Sequence, residues 1–329
     1  MRFPSEPTPL SLAMPHLSAS SDPEAPPPVA EPALAAQTQQ LPGLTSSLFV
    51  QAFSFEAAGA APLIAHAGVG VVYTLEHKGY RSHFQAAAAA VHDTCRGAPG
   101  ADILIDRNRY SGKNRADATS AMSRQWAEDQ LRGLGLPWAL GDAGYAASLV
   151  DVSLVLQQGR ALPACTIVPL AIPHQLLRDD AASLLALIND QDKPVALIVE
   201  HESDPFGTGG VVAGLVHVLR GAQVPVLLLR TDTSALGAIS YGAAVGAVGA
   251  HSSLRHLFPV LDGNGGHGER LAFVVPALLT YVLADRFAKA YLVNPTLPAW
   301  RCGCWFCHGR DLTWIAASGK QAKAVAFQH

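Results

Sequence analysis

The sequence is poor in charged residues and has no long hydrophobic run. Asp, Glu, Lys and Arg make up 15% of its 329 residues, whereas soluble domains average about 25%. Its mean hydropathy is +0.20. The most apolar segment, residues 271–284, is fourteen residues long and contains Pro276 and Thr280, whereas a membrane-spanning helix needs about 20 apolar residues. We therefore expect no transmembrane helix, and instead a large, alanine-rich soluble domain whose sheet is buried on both faces.

Basic residues and cysteines are also scarce. The chain has 23 Lys and Arg against 26 Asp and Glu, a net charge of -3, which excludes a generally basic nucleic-acid binder and leaves room only for a local basic patch. Three of the five cysteines fall within six residues, a spacing that favours a metal site in a reducing compartment over a disulfide framework. Because Arg2 is followed by no apolar segment, we expect no secretory signal and a cytoplasmic protein.

The first part of the chain differs in composition from the rest. Residues 1–45 hold ten of the 23 prolines, and such a stretch cannot bury enough apolar surface to offset the entropy lost on ordering it. We therefore interpret residues 1–45 as a disordered, Pro-rich leader and exclude it from the fold prediction.

From about residue 63 onward, short apolar runs alternate with longer helix-like segments. This alternation indicates a parallel sheet covered by helices, and eight repeats fit a (β/α)8 TIM barrel, which we place at residues 46–295. A doubly wound open sheet is the competing architecture, and periodicity alone does not separate the two. The predicted strands are 70–75, 102–105, 137–140, 165–170, 195–199, 224–229, 243–250 and 271–275.

Polar side chains follow seven of these eight predicted strands. The carboxyl ends of barrel strands form the mouth where TIM-barrel active sites are built, so these residues are candidates for binding or catalysis. The alternative for each of them is an ordinary helix cap or loop residue. In chain order they are Glu76, His77, Asp106, Arg107, Asn108, Arg109, Asp142, His174, Glu200, His201, Asp204, Arg230, Asp232, His251, Ser252, Ser253, Arg255 and His256.

Three carboxylates in this set are the acid–base candidates. Asp142 stands in a turn between two glycines, where little side-chain cover leaves its oxygens open to a ligand; an ordinary Asp-Gly turn is the alternative. Asp106 is followed closely by Arg107 and Arg109, and neighbouring cations keep a carboxylate ionised; a structural Asp–Arg lock explains the same pattern. Glu200 is the third candidate.

The segment after the seventh predicted strand suits a phosphate or a purine edge. Ser252 and Ser253 follow small residues that permit close backbone approach, and Arg255 adds a guanidinium. The alternative is that either serine caps a short helix. With Asn108, these three are the candidate substrate-binding residues. The chain contains no P-loop, HExxH or GxSxG motif.

The motif Cys302-x-Cys304-x2-Cys307 is the most specific signal in the chain. Three thiols at this spacing can reach one ion, and thiolates select zinc or an iron–sulfur cluster. Zinc needs a fourth ligand, and we favour His329 over His308, which would have to bend back from its position next to Cys307. We expect a closed, structural zinc site; an iron–sulfur cluster and reduced free thiols are the alternatives.

These features resemble the tRNA-guanine transglycosylase superfamily (the queuine- and archaeosine-type enzymes) over roughly residues 100–329. The resemblance rests on the predicted barrel, on the Asp-Ala-Gly-Tyr loop at Asp142 where Thr-Asp-Ser-Gly-Gly would be expected, and on the cysteine cluster with a distal histidine. It implies that the three cysteines and His329 hold structural Zn²⁺ in segment 296–329, which would be truncated. It also implies that Asp142 contacts a purine base and helps the chemistry.

The chain departs from the family at the nucleophile. The family's nucleophilic Asp ends the strand just ahead of the zinc cluster, whereas this chain has Phe273-Val274-Val275-Pro276 there, without a carboxylate. A covalent glycosyl exchange needs a nucleophile, and nothing in the spacing places Asp232 or Asp262 in that role. The C-terminal helical region that contributes to the family's nucleic-acid surface is also missing.

Three functional hypotheses follow. The first is a zinc-containing transglycosylase-like enzyme acting on a purine or deazapurine base in nucleic acid or a nucleoside, with Asp142, Asp106 and Glu200 as acid–base residues. The second is a catalytically degenerate barrel that binds a base or nucleic acid without turnover. The third is a TIM-barrel enzyme of unrelated small-molecule chemistry that uses Glu200, His201 and Asp204. The family enzymes commonly pair, so a homodimer is compatible with the first two; no membrane partner is expected.

Overall fold

The computed structural model describes residues 40–76, 80–260, 271–322 and 325–326. Within these ranges, eight parallel strands form one sheet in the order β3-β2-β1-β8-β7-β6-β5-β4, in which the first strand pairs with the last. The strands are β1 (Leu48–Phe53), β2 (Gly70–Thr74), β3 (Ile103–Asp106), β4 (Ala139–Leu140), β5 (Thr166–Pro173), β6 (Val195–Glu200), β7 (Val226–Thr231) and β8 (Val245–Gly249).

At least one helix connects each strand of this sheet to the next, as parallel pairing requires. None of the helices in the described ranges is long and apolar enough to cross a lipid bilayer. The α-helices are α1 (Ala57–Ala67), α2 (Tyr80–Gly97), α3 (Arg124–Glu128), α4 (Leu149–Arg160), α5 (His174–Asp179), α6 (Ala181–Asn189), α7 (Val211–Gly221), α8 (Ser234–Ser240) and, after the last barrel strand, α9 (Ala284–Val293) and α10 (Thr313–Ala317).

Side-chain alternation divides the strands between an inner and an outer core. In β6, Ala196 and Ile198 belong to the cluster formed by inward residues of the other strands, whereas Val195, Leu197 and Val199 pack against the surrounding helices. A strand buried on both faces within a ring of neighbours is the arrangement of a barrel. The predicted (β/α)8 TIM barrel is therefore the observed fold.

The eight barrel strands are not the eight predicted strands. The prediction omits β1, a six-residue strand that follows the Pro-rich region directly. The predicted eighth strand, 271–275, is wrong as a barrel strand, because β9 (Ala272–Val275) pairs antiparallel with β10 (Thr280–Leu283) in a separate two-stranded sheet. A short apolar run has the same periodicity in a barrel strand and in a hairpin strand. The predicted total of eight strands is right only because one omitted strand, β1, is balanced by one wrongly included strand, 271–275.

The barrel is nearly closed, with one seam between β3 and β4, which share no ladder. At the seam, the buried side chain of Gln130 replaces the missing strand: its Nε2 donates to Leu140 O (2.9 Å) and its Oε1 accepts from Leu140 N (3.1 Å). Trp126 Nε1 donates to the same carbonyl (3.2 Å). Because a buried peptide group needs a hydrogen-bond partner, these two side chains satisfy the edge of β4.

A close backbone approach above the seam brings Tyr145 into the mouth. Isolated bridges pair Tyr145 with Asp117 on one side and with Ala171 on the other. A Cβ at Gly144 would lie 1.9 Å from Asp117 O, so this approach requires glycine.

The residues just before β1 pack at the amino-terminal end of the barrel. Leu41 is buried, and the Asp102 carboxylate accepts hydrogen bonds from the backbone N–H groups of Thr45 (2.8 Å) and Ser46 (2.7 Å). Residues 40–45, the end of the predicted leader, therefore take part in the fold, while residues 1–39 lie outside the described ranges.

A second, smaller core follows the barrel. It contains residues from β9, well before position 296, where we predicted the metal-binding segment to begin. Trp305 in this unit contacts the barrel, since its ring centroid lies 4.8 Å from that of His66 on α1. The buried members are Phe273, Val275, Phe287, Trp300, Cys302, Cys307, Leu312 and Ile315.

Candidate functional site

The inward positions of four barrel strands become polar at their carboxyl ends. Each of these residues lies two positions beyond an inward apolar residue, which strand alternation turns to the same face. All four are buried, so two predicted carboxylates share one layer at the mouth. The layer consists of Gln51 on β1, Thr74 on β2, Asp106 on β3 and Glu200 on β6.

Asp106 is a fully bonded group in this layer. Its Oδ2 accepts from Tyr110 OH (2.6 Å), Thr74 Oγ1 (3.3 Å) and Gln51 Nε2 (3.3 Å). Burial raises the pKa of Asp106, and the charge of Arg230 offsets part of this rise. The expectation that Arg107 and Arg109 keep Asp106 ionised is wrong, because both guanidiniums bond to another carboxylate.

Asn108 and Arg230 connect opposite sides of the mouth in left-handed backbone conformations, with φ of 60° and 50°. Arg230 Nη1 donates to Asn108 Oδ1 (2.8 Å), Arg230 Nη2 donates to Ser253 O (2.6 Å) and Arg230 N donates to Gln51 Oε1 (2.7 Å). Its buried Nε has no hydrogen-bond partner among the described residues. A left-handed backbone at an arginine and an unsatisfied buried donor are features that cluster at functional sites. The side chain of Asn108 is therefore engaged in the hydrogen bonds of this network.

Asp142 is the partner of the two arginines that follow Asp106. Its Oδ2 accepts from Arg107 Nη1 (2.5 Å) and Arg109 Nη1 (3.1 Å), and its Oδ1 accepts from Ser123 N (2.7 Å). The side chain is 0% exposed. The expectation that flanking glycines leave this carboxylate uncovered is therefore wrong, because long side chains from a distant loop cover it.

Glu200 bonds to two residues that the sequence analysis did not select. Its Oε2 accepts from Tyr145 OH (2.5 Å), and its Oε1 accepts from Arg115. The Arg115 guanidinium carbon also lies 3.6 Å from the centroid of the Tyr145 ring. Burial, followed by the bond to Glu200, raises the pKa of Tyr145. The arginine and the phenol fix the position of this carboxylate at the mouth.

Two histidines lie beside Glu200 with their rings in edge contact, 4.4 Å between centroids. His174 Nδ1 is 3.3 Å from the backbone carbonyl of Glu200, which can only accept, so this nitrogen carries the proton. His201 Nδ1 accepts from Ser203 N (3.0 Å). Burial, then the neighbouring His201, lowers the pKa of His174 below 6.5. At neutral pH, His174 is therefore an uncharged ring with Nε2 unprotonated.

His256 is a third histidine at the mouth. Its buried Nε2 has no hydrogen-bond partner in the described ranges. Burial lowers its pKa to about 4, and the nearby charge of Arg230 adds to this effect.

Among the remaining candidates after β8, Arg255 contacts the C-terminal unit. The Arg255 guanidinium carbon lies 3.2 Å from the centroid of the Tyr281 ring on β10, and Arg255 Nε donates to Gly249 O (3.3 Å). Ser252 and Ser253 are exposed and form a short 3-10 turn. Arg255 therefore packs mainly against a tyrosine, and neither serine meets the acidic layer through its hydroxyl.

The structure thus gathers the mouth candidates into separate groups. Glu200 joins His174 and His201, while Asp204 caps the next turn through Phe206 N (2.9 Å). The sequence analysis did not select Arg115 and Tyr145 as mouth residues, because neither directly follows a predicted strand. The positions of His174, Arg230 and His256 after predicted strands placed them at the mouth without a specific role, whereas the third hypothesis already used His201 with Glu200 and Asp204.

The cysteine motif forms a cluster that could bind a metal ion. The sulfur atoms of Cys302, Cys304 and Cys307 all lie within 4.8 Å of one another, and Cys307 N donates to Cys304 Sγ (3.4 Å). Backbone N–H donation to sulfur stabilises thiolate ligands, so the donor set fits a soft metal. His308 is not part of the cluster in the described residues, and His329 lies outside them.

No family model and no curated protein matches the chain. Among solved structures, a mandelate racemase/muconate lactonizing enzyme from Roseiflexus sp. is 14% identical with a TM-score of 0.35, over 66% of this chain and 54% of that chain. Dihydrodipicolinate synthase from Rhodopseudomonas palustris is 13% identical with a TM-score of 0.39, over 64% and 71% of the two chains. Type I 3-dehydroquinate dehydratase from Clostridium difficile is 11% identical with a TM-score of 0.39, over 65% and 87%.

This chain spans about half the length of the first of these structures. Overall similarities this low carry no argument about fold or activity. The assignment to the TIM-barrel class therefore rests on the strand order and on the two cores described above.

The lowered pKa of His256 predicts a loss of stability in mild acid. The unfolded histidine takes up a proton near pH 6.5, whereas the folded one resists protonation down to about pH 4. Its contribution is therefore complete above pH 6.5 and is lost as pH falls towards 4, by about 2 kcal/mol between pH 7 and pH 5. Urea unfolding at both pH values should show a smaller loss for His256→Gln than for the wild type. Exposed His217, replaced in the same way, is the control; equal losses in all three proteins would contradict the prediction.

Proposed function

We propose that the chain is a TIM-barrel enzyme that transfers a proton to or from a small-molecule substrate, with His174 as the general base. The observation that carries the proposal is the hydrogen bond between His174 Nδ1 and the Glu200 carbonyl at the mouth of the barrel. A general base must be unprotonated at the working pH and must be able to reach the substrate. His174 is partly exposed at the end of β5, and its bond to the Glu200 carbonyl leaves Nε2 as the acceptor.

The residues around His174 fit the same chemistry. His201 packs edge-on against its ring and, with Nδ1 accepting from Ser203, presents an N–H at Nε2 that lies 3.2 Å from Thr208 Oγ1. The backbone carbonyl of Glu200 accepts from His174, and the Glu200 side chain is held by Arg115 and Tyr145. In this proposal Glu200 positions His174, while His174 moves the proton.

A proton-transfer site predicts exchange of substrate hydrogen with solvent. A panel of carbonyl-containing metabolites, incubated with the protein in D2O and followed by NMR, should include at least one compound that exchanges a C–H. The rate should rise with pH through a midpoint below 6.5, the ordinary histidine value. His174→Asn should slow exchange about 100-fold. Glu200→Gln should also slow exchange, and its rate should still rise with pH through the midpoint that His174 sets.

The control for this experiment is His217→Asn, the same substitution on the exposed face of α7, which should exchange like the wild type. Exchange that survives in His174→Asn, or its absence across the whole panel, would overturn the assignment of the base.

We propose as a second candidate that the barrel binds a purine or deazapurine base in the manner of a transglycosylase without exchanging it. The cysteine cluster after the barrel supports this candidate. The end of β8 supports the absence of turnover, because the last barrel strand runs into Gly249, Ala250 and His251 and offers no carboxylate as a nucleophile. Asp142, the residue that the resemblance assigns to the base, is held by two arginines.

Guanine binding separates the two candidates. If the second is right, labelled guanine should bind saturably, and Asp142→Asn should weaken that binding. No label should enter tRNA, duplex DNA or a nucleoside. Incorporation of label would instead restore a catalytic transglycosylase. Failure of guanine and 7-deazaguanine to bind would remove the candidate altogether.

The second candidate includes a zinc ion held by the three cysteines, with a structural role and no part in a reaction step. Burial raises the pKa of the Cys307 thiol to about 12, so zinc must displace its proton to bind. Purified protein should contain about one zinc per chain, and Cys302→Ser and Cys304→Ser should lose it. Cys95→Ser and Cys165→Ser, at exposed cysteines outside the cluster, are matched controls that should retain it.

Two histidine variants identify the fourth ligand in the same elemental analysis. Removal of His329 should release the zinc, whereas His308→Ala should not. Iron and sulfide in place of zinc, or a wild-type chain without metal, would contradict the zinc assignment.

A further inference from the structure

A cavity of about 320 Å³ opens beside the loop that follows β3. It is distinct from the His174–His201 pair, and none of the side chains assigned above to proton transfer lines it. The described lining is basic and polar and includes no carboxylate: His83, Arg107, Arg109, Ser111, Lys113 and Asn114.

The loop geometry directs two arginines into this cavity. The left-handed conformation of Asn108 separates Arg107 from Arg109, and Asp142 then binds one nitrogen of each. Arg107 is further fixed because its Nε donates to His83 Nδ1 (3.4 Å), while His83 Nε2 lies 2.7 Å from the Glu76 carbonyl. Both guanidiniums are therefore held in place before any ligand arrives, which lowers the entropy lost on binding.

Donors remain available on two of the cations. The bonds of Arg109 to the protein all run through Nη1, so Nε and Nη2, one edge of its fork, donate to no group among the described residues. The exposed ammonium of Lys113 has no ion pair or hydrogen bond there either. A guanidinium edge with an ammonium nearby is the donor set that recognises phosphate oxygens.

Charge selects the kind of phosphate. Among the described residues, three cations, Arg107, Arg109 and Lys113, face one carboxylate, Asp142, so positive charge is in excess. A phosphomonoester carries about -1.5 to -2 at neutral pH, whereas each phosphodiester of a nucleic acid carries one negative charge. We infer that this cavity binds the phosphate group of a small phosphomonoester.

The position of the cavity relates this ligand to the proposed reaction. Asn114 and Ala116 line it, and Arg115 between them reaches Glu200, so one loop contacts both the phosphate pocket and the residue that positions His174. The inference rests on the proposed function only in treating the two as parts of one substrate site; phosphate binding itself requires no turnover.

The test is calorimetric titration of the full chain with glycerol phosphate, using glycerol as the uncharged control and inorganic phosphate as the competitor. Glycerol phosphate should bind saturably, and its affinity should fall as the salt concentration rises. Inorganic phosphate should displace it. Lys113→Ala should weaken binding about tenfold, the loss of one charge-assisted contact. Lys289→Ala, which removes the same charge from the exposed face of α9, should bind like the wild type.

Several outcomes would overturn the inference: no binding of glycerol phosphate or inorganic phosphate, equal affinities of Lys113→Ala and Lys289→Ala, or binding of tRNA or duplex DNA with no binding of the monoester. The proposed function fails separately. Phosphate binding without solvent exchange in any phosphorylated compound would contradict the acid–base proposal and leave the pocket assignment standing.

Discussion

Eight parallel strands closed into a ring admit to their interior only the side chains of alternate strand positions, and the rest of the molecule depends on this constraint. Below the mouth these positions are apolar; at the carboxyl ends they become Gln51, Thr74, Asp106 and Glu200. A shift of one residue in β3 or β6 would turn the carboxylate towards the helices and an apolar neighbour into the mouth. Strand register therefore determines the polar layer before any loop contributes to it.

Buried carboxylates require compensation, and arginines from loops and from the end of β7 supply it here. Arg115 holds Glu200, Arg107 and Arg109 hold Asp142, and Arg230 offsets the burial of Asp106. A carboxylate bound in this way is a poor proton carrier, because any change in its protonation breaks an ion pair. His174 and His256 form no such ion pair in the described part of the chain, and burial lowers the pKa of both. This division explains why the proposed chemistry falls on a histidine although the sequence drew attention to acids.

Structural features that depend on a few neighbouring residues were predictable from the sequence. Strand–helix alternation indicated the barrel, the strand ends placed Asp106 and Glu200 at its mouth, and the cysteine spacing indicated the cluster. Contacts across long sequence distances were not predictable. Arg115 and Glu200 are 85 residues apart, and the cover of Asp142 comes from arginines 35 and 33 residues away. The omission of β1 had a local cause: a strand with an inward glutamine beside a Pro-rich segment lacks an unbroken apolar run, although its six residues match the other strands in length.

The backbone of Arg230 constrains how this site can diverge. The residue adopts φ of 50° where the register of β7 and β8 shifts, between Leu228 and Thr231. Residues that accept this conformation readily are Gly, Asn and Asp, and none of them carries a positive charge. A single substitution can therefore relieve the backbone or keep the cation, but not both. Arg230 can therefore be replaced only if the shift in register between β7 and β8 changes as well. Related chains that share this shift should keep arginine at this position, and chains without it should have different side chains at the mouth.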